Sequence, residues 1–299
     1  GIHYEKPFKT IDGYKTFGST YSSGINDSFC WHLVYNSSFS PQSANFGNAS
    51  GKFTSPESVA IDFEGDILVV DTGNNRIQTY TPDGKYKGRI PLEQESRTPL
   101  KAGLDSPSGV ALDSEGNVYV VNRGSSRIMK FNAQGHLLKE WAEVGSAQGR
   151  LVRPSRIAIG PGGNLWVTDT GNHRIQVFSP EGRYLFHFGK AGSGPGELKS
   201  PIGIVLDGNG NAYVADSGNR RIQKFDSRGN PLTSIMDRQE RNMSQFIYPN
   251  GLAIDRAGNL YVADSLTHGI QKLVFNPALR LLEQGWVSYE KQDYEAALS

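Results

Sequence analysis

The chain has 299 residues, enough for one large β domain or two ordinary ones, and its 31 basic and 30 acidic side chains leave a net charge of +1. So balanced a charge gives no reason by itself to expect a nucleic-acid or membrane partner. Thirty-five glycines against three methionines mark a turn-rich chain, and no apolar run approaches the roughly 20 residues that span a bilayer.

Cys30 is the single cysteine, so an intramolecular disulfide is excluded and a cysteine-based zinc site is disfavoured. Gly1 in place of a start methionine is consistent with a removed leader but says nothing about export, and a single cysteine fits a reducing cytosol or an exported bacterial protein alike, so the compartment is undetermined, with a lean to the extracytoplasmic, periplasmic or secreted.

From the N-terminus, DGYKTFGS at 12–19 reads as the last strand of a sheet. FGSTYSSGINDSF then resembles a linker, SFCWHLVYN a strand, and ANFGNASGKFTSP a second linker. From residue 53 the chain repeats itself. Pro56, Pro107, Pro154, Pro201 and Pro249 stand 51, 47, 47 and 48 residues apart. Nine residues after each comes Gly65, Gly116, Gly163, Gly210 or Gly258. Fifteen after comes Asp71, Asn122, Asp169, Asp216 or Asp264. Twenty after comes Arg76, Arg127, Arg174 or Arg221, until Gly269 breaks the rule, and the next residue is always Ile. A unit that must stack on itself is written many times, whereas a catalytic motif is normally written once.

Each unit predicts four short antiparallel strands. GVALD and GLAID are apolar runs suited to a strand buried on both faces. A Gly-containing turn follows, with its glycine free to take positive φ. VYVV, LWVT and AYVA have the β-branched and aromatic composition of a second strand, and RIQVF and YLFHF supply the third and fourth. Antiparallel meanders repeated at about 45 residues predict a β-propeller with one sheet per blade.

The pattern P-x-G-[VI]-A-x-D, then G-N-x-Y-V-x-D, then N-x-R-I-Q-x-F resembles the NHL repeat, and FGKAGSGPGELKSP at 188–201 is similar to its glycine-rich connector. That resemblance covers 53–275 and implies six blades. The expectation is an all-β fold over 1–277: five clear repeats in 53–277 and, in 1–52, a ring-closing strand at 12–19 with a degraded sixth blade at 19–50. Five blades is the alternative count. Residues 278–299 are helical in composition, and L-x-x-G-x-x-x-Y-x-x-x-D-Y-x-x-A from Leu282 to Ala297 resembles the start of a tetratricopeptide repeat. One such unit cannot bury its apolar face alone, so a truncated helical array is expected there.

The recurring Asp and Arg are expected to be structural. The Asp accepts backbone N–H bonds in the turn, and the Arg pairs with an Asp of the same or a neighbouring blade. Departures from the repeat point to the candidate binding face. Arg123 and Arg156 stand where other units have small residues, Arg220 adds a cation beside Arg221, and His173 and His268 occupy equivalent turns. Blade topology brings these five to one face around the channel mouth, a basic polar surface for an acidic peptide, a phosphate, a glycan or RNA.

The resulting expectation is a noncatalytic scaffold or adaptor for a protein, peptide or glycan partner, without cofactor or metal. A metal-dependent lyase or lactonase is the first alternative and an RNA-binding propeller the second. No HxH or HExxH spacing supports the former, and the balanced charge argues against the latter.

Overall fold

The computed structural model describes residues 3–4, 46–91, 103–235, 246–267 and 269–274. These residues form five antiparallel sheets of four strands. Blade 1 comprises β2 (Pro56–Ile61), β3 (Ile67–Asp71), β4 (Arg76–Tyr80) and β5 (Tyr86–Ile90). Blade 2 comprises β6 (Pro107–Leu112), β7 (Val118–Asn122), β8 (Arg127–Phe131) and β9 (Leu137–Trp141). Blade 3 comprises β10 (Ile157–Ile159), β11 (Leu165–Asp169), β12 (Arg174–Phe178) and β13 (Tyr184–Phe188). Blade 4 comprises β14 (Ile204–Leu206), β15 (Ala212–Asp216), β16 (Arg221–Phe225) and β17 (Pro231–Ile235). Blade 5 comprises β18 (Pro249–Ile254), β19 (Leu260–Asp264) and β20 (Gly269–Val274), with β1 (His3–Tyr4) as its fourth strand.

The alternation of side chains along a strand explains why blades stack. In β7, Val118 and Val120 pack toward blade 1 with Leu68, Val70 and Ile77. Tyr119 and Val121 pack toward blade 3 with Leu151, Ile157 and Leu165. A strand buried on both faces carries no polar alternation, as GVALD and VYVV show. Each such Val or Leu contributes about 1.5–3 kcal/mol by leaving water. The inner strands abut in the order β2, β6, β10, β14, β18. The first hairpin of every blade turns on the recurring glycine, whose φ lies between +79° and +86°.

Three expectations change. The count is five blades among the described residues, not six. Of the expected degraded blade, 19–45 lie outside the described residues, and 46–50 belong to a connector. Phe46 bridges Phe53 there just as Val144 bridges Leu151 and Ala191 bridges Leu198 before blades 3 and 4. The strand that completes the last blade is His3–Tyr4, paired with Val274 and Leu273, and not 12–19. Backbone pairing to an exposed edge needs no sequence signature, so the short strand was not legible. The helical, tetratricopeptide-like segment at 278–299 lies outside the described residues, among which only strands, turns and single-turn 3-10 segments occur. No helix of the described residues is long and apolar enough to cross a membrane.

Candidate functional site at the channel mouth

The recurring carboxylates are fully engaged within their own blades. Asp169 is wholly buried and accepts from Val152 N at 2.7 Å, Asn172 Nδ2 at 2.9 Å, Arg174 Nε at 2.8 Å and Gln176 Nε2 at 2.9 Å. Arg174 Nη2 donates on to the carbonyls of Ala147 and Arg150, so the cluster clamps the incoming connector. Asp71 with Arg76 and Gln78, and Asp216 with Arg221 and Gln223, repeat the arrangement. The Asp–Arg pair is intra-blade, which resolves the alternative left open above.

Blade 2 changes every member together. Asn122 Oδ1 still accepts the connector N–H of Asp105 at 2.6 Å. Met129 replaces the glutamine, and Arg127 turns away to Glu140 at 2.7 Å. In blade 5, Asp264 faces Gly269 where an arginine would be and accepts the backbone N–H groups of Ile247, Tyr248, Leu266 and Thr267 instead.

The same turn fastens each blade to the next. Thr72 Oγ1 donates to the Pro107 carbonyl at 2.8 Å, Thr170 Oγ1 to Pro201 at 2.7 Å and Ser217 Oγ to Pro249 at 2.5 Å. Three residues on, Asn75 Oδ1 accepts from Ser106 N and His173 Nδ1 from Ser200 N, each from a left-handed backbone near φ +55°. His173 is therefore a fastener between blades 3 and 4 through its Nδ1. Arg220 holds the same left-handed turn position in blade 4 and is exposed. His268 lies outside the described residues.

Arg123 and Arg156 do converge. Arg123 stands where Thr72, Thr170 and Ser217 stand in their blades. It forgoes the forward bond and reaches back to blade 1, forking onto Glu57 Oε1 at 2.7 Å and Oε2 at 2.9 Å. Ser108 Oγ takes over the vacated role, donating to the Pro154 and Ser155 carbonyls. Arg156 occupies a position that is glycine in blades 2, 4 and 5. There the inner strands press close: a Cβ on Gly109 would lie 2.9 Å from the Ser155 carbonyl oxygen. Instead of packing sideways, Arg156 crosses the mouth. Its Nη1 donates to Ser108 O at 2.5 Å and Ser155 O at 3.2 Å, its Nη2 donates to Glu57 O at 2.8 Å, and Nη1 lies 3.7 Å from Glu57 Oε2.

The mouth thus holds two guanidiniums and one carboxylate from three blades. Burial draws the Arg156 pKa down, Glu57 opposes that, and the Arg123 charge adds to it. Arg123 and Glu57 remain 32% and 29% exposed, so a ligand can reach them. Such a site suits a carboxylate or phosphate that shares the Arg123 fork. Sequence reading missed Glu57. Its one signal was an acid where the other blades carry Ser108, Ser155, Ile202 and Asn250. Among the described residues no three His, Cys, Asp or Glu side chains gather in the manner of a metal site.

Five stretches, 53–80, 104–131, 151–178, 198–225 and 246–273, match the NHL repeat model. Over 55 residues, 18% of this chain, the sequence is 40% identical to the B-box type zinc finger protein ncl-1 of Caenorhabditis elegans, and the match spans 6% of that protein. Among solved structures the chain is similar to virginiamycin B lyase from Staphylococcus aureus, with 17% identity, a TM-score of 0.57, and coverage of 77% of this chain and 69% of that one. It is similar also to a gluconolactonase from Xanthomonas campestris, with 17% identity, a TM-score of 0.55, and coverage of 74% and 72%. At those identities the likeness concerns the fold alone.

Proposed function

For a chain built of five NHL repeats folded as a β-propeller, we propose the role of a noncatalytic binding scaffold whose channel mouth receives an acidic group of a protein or peptide partner. One observation carries this reading. Arg123 and Arg156 break the repeat, leave the structural roles of their positions, and meet over a single carboxylate with one positive charge in excess. A carboxylate entering beside Glu57 would complete the charge balance, with Arg123 as the exposed fork and Arg156 as the buried support. Rigid blades carrying adaptable loops are a common basis for recognition.

The test is fluorescence anisotropy with a labelled oligoglutamate peptide across a salt series. Arg123→Ser gives this position the hydroxyl of its sister blades and should bind at least about tenfold more weakly. Equal binding by the variant, or tighter binding of single-stranded RNA than of the peptide, would overturn the reading.

A further inference from the structure

Blades 2, 3 and 4 share a lateral row of side chains that fills the interface with the blade after them. Across β7, β8 and β9 it runs Tyr119, Lys130, Lys139. In blade 3 it is Trp166, Val177, Phe186, and in blade 4 Tyr213, Lys224, Thr233. In blade 1 the same row is Leu68, Thr79, Gly88. No aromatic ring or long side chain remains in it.

The filled rows show what the space is shaped to hold. Tyr119 is fully buried, and its hydroxyl donates to Asp113 Oδ2 at 3.0 Å. Lys130 Nζ lies 5.0 Å from the Tyr119 ring centroid and 3.8 Å from Asp113 Oδ2. Lys224 stands likewise 4.8 Å over Tyr213 and 3.5 Å from Asp207 Oδ2. An ammonium over a ring beside a carboxylate is thus built into blades 2 and 4, and blade 5 repeats the ring and cation, with Lys272 Nζ 5.7 Å from the Tyr261 ring centroid and the Tyr261 hydroxyl donating to Asp255 Oδ2 at 3.1 Å.

Blade 1 keeps the carboxylate and lacks the rest. A cavity of about 560 Å³ opens between blades 1 and 2 in that place, walled by Leu68, Ile90, Leu112 and Val118. Asp62 corresponds to Asp113 and Asp207. Its Oδ1 accepts from Glu64 N and Asp66 N, as theirs do from the equivalent turn. The Oδ2 atoms of Asp113 and Asp207 also receive an asparagine amide, Asn117 or Asn211, at 2.9 Å. Blade 1 has Asp66 there, which is ion-paired with Lys87, so Asp62 Oδ2 accepts no hydrogen bond among the described residues. Burial pushes the Asp62 carboxyl up, and the Asp66 and Glu64 charges add to the shift. Around the cavity four carboxylates, Asp62, Glu64, Asp66 and Glu115, face two cations, Lys87 and Arg89.

We propose that this cavity binds an organic cation with an aromatic body, an arylalkylamine. Its ring takes the space of the missing tyrosine against Leu68, Leu112 and Val118, and its ammonium meets Asp62 Oδ2 in place of the missing lysine. The cavity opens beyond the end of β2, whereas Glu57 lies at its start, so the site is separate from the channel mouth.

The test is calorimetric titration of the full chain with tyramine. The Leu68→Tyr/Thr79→Lys variant, which restores the row of blades 2 and 4, should bind at least about tenfold more weakly without a lower melting temperature. Asp62→Asn should weaken binding similarly and keeps the test open should the refilled variant not fold. p-Cresol, the same ring without the ammonium, should also bind about tenfold more weakly. Tighter binding of a capped lysyl-tyrosine dipeptide would assign the cation to a polypeptide, and weaker binding to a free amine; both uphold the site. Absence of tyramine binding, equal binding by the refilled variant, or p-cresol matching tyramine would overturn it.

Discussion

Arg156 of blade 3 holds Glu57 of blade 1 by both ends, its Nη2 on the Glu57 carbonyl at 2.8 Å and its Nη1 at 3.7 Å from the carboxylate, with blade 2 standing between them in the chain. Contacts of this span form only when three blades are seated, so they report on the assembled ring and not on any one sheet.

The two cations around Glu57 are not equivalent. Removing Glu57 leaves the buried Arg156 without a counter-charge, and Glu57→Ala should cost about 3 kcal/mol. Removing Arg123 leaves Glu57 paired with Arg156, and because Arg123 is one-third exposed the loss should be about 1 kcal/mol. Urea unfolding of both variants checks the order; equal losses would show that Arg156 does not depend on Glu57.

Asp169 has four kinds of donor and no access to water. Asp169→Ala leaves Arg174 buried and unpaired and should cost about 3–5 kcal/mol. Blade 2 offers the converse. Asn122→Asp places a carboxylate beside Met129, with Arg127 already committed to Glu140, and should destabilise. Adding Met129→Gln should recover part of the loss, and a double-mutant cycle reads that coupling directly.

The inter-blade hydroxyl bonds are neutral. Thr170→Val keeps the shape but removes the donor to the Pro201 carbonyl and the partner of Ser155 Oγ, so about 1–2 kcal/mol should be lost. Thermal melts would show it, and an unchanged melt would mean that another donor takes its place, as Ser108 does for Pro154.

Asp62 carries the pH prediction. Its folded-state pKa is raised above the ordinary value of 3.8, first by burial and then by Asp66 and Glu64. A carboxyl raised on folding binds its proton more tightly in the native state, so stability from this group is present at low pH and is lost as pH rises through the raised value. Asp62→Asn keeps an acceptor for the turn and cannot ionise. It should melt above the parent at neutral pH, with the difference closing as pH falls toward 3.8. A variant that melts below the parent at neutral pH would show the carboxylate to be stabilising.

The blades were legible because the fold writes its rules at fixed spacing. Asp71, Asp169 and Asp216 each bond within their own blade, to the Arg five residues on and the Gln seven on, the local geometry that a repeated residue implies. Arg123 and Arg156 were legible as departures from that spacing, among five residues expected on one face. Glu57 was not, since one acid on an inner strand has no meaning until the ring brings blade 3 back toward blade 1. The partner of His173 was not legible for a related reason: Ser200 N belongs to the next blade and is a backbone group without sequence signature. The short N-terminal pairing at His3–Tyr4 left no pattern, whereas 12–19 had one.

The clamp around each carboxylate also says where one unit of this ring ends. The connector entering blade 3 is gripped by blade 3 itself: Gly149 N reaches Gln176, Arg150 O reaches Arg174 and Gln176, and Val152 N reaches Asp169. The hydrogen bonds from blade 2 reach only its last residues, through Ser126 and Ser108, although Leu151 also packs against Tyr119 and Val121. The transplantable cassette is therefore 144–188, from the connector bridge to the end of the outer strand, and not the interval between prolines by which the repeat is counted. A graft cut at Pro154 would carry Asp169 and Arg174 away from their backbone partners in the connector, while one spanning 144–188 would keep that pair intact and would separate only Arg156 from its partners, Glu57 and Ser108, in blades 1 and 2.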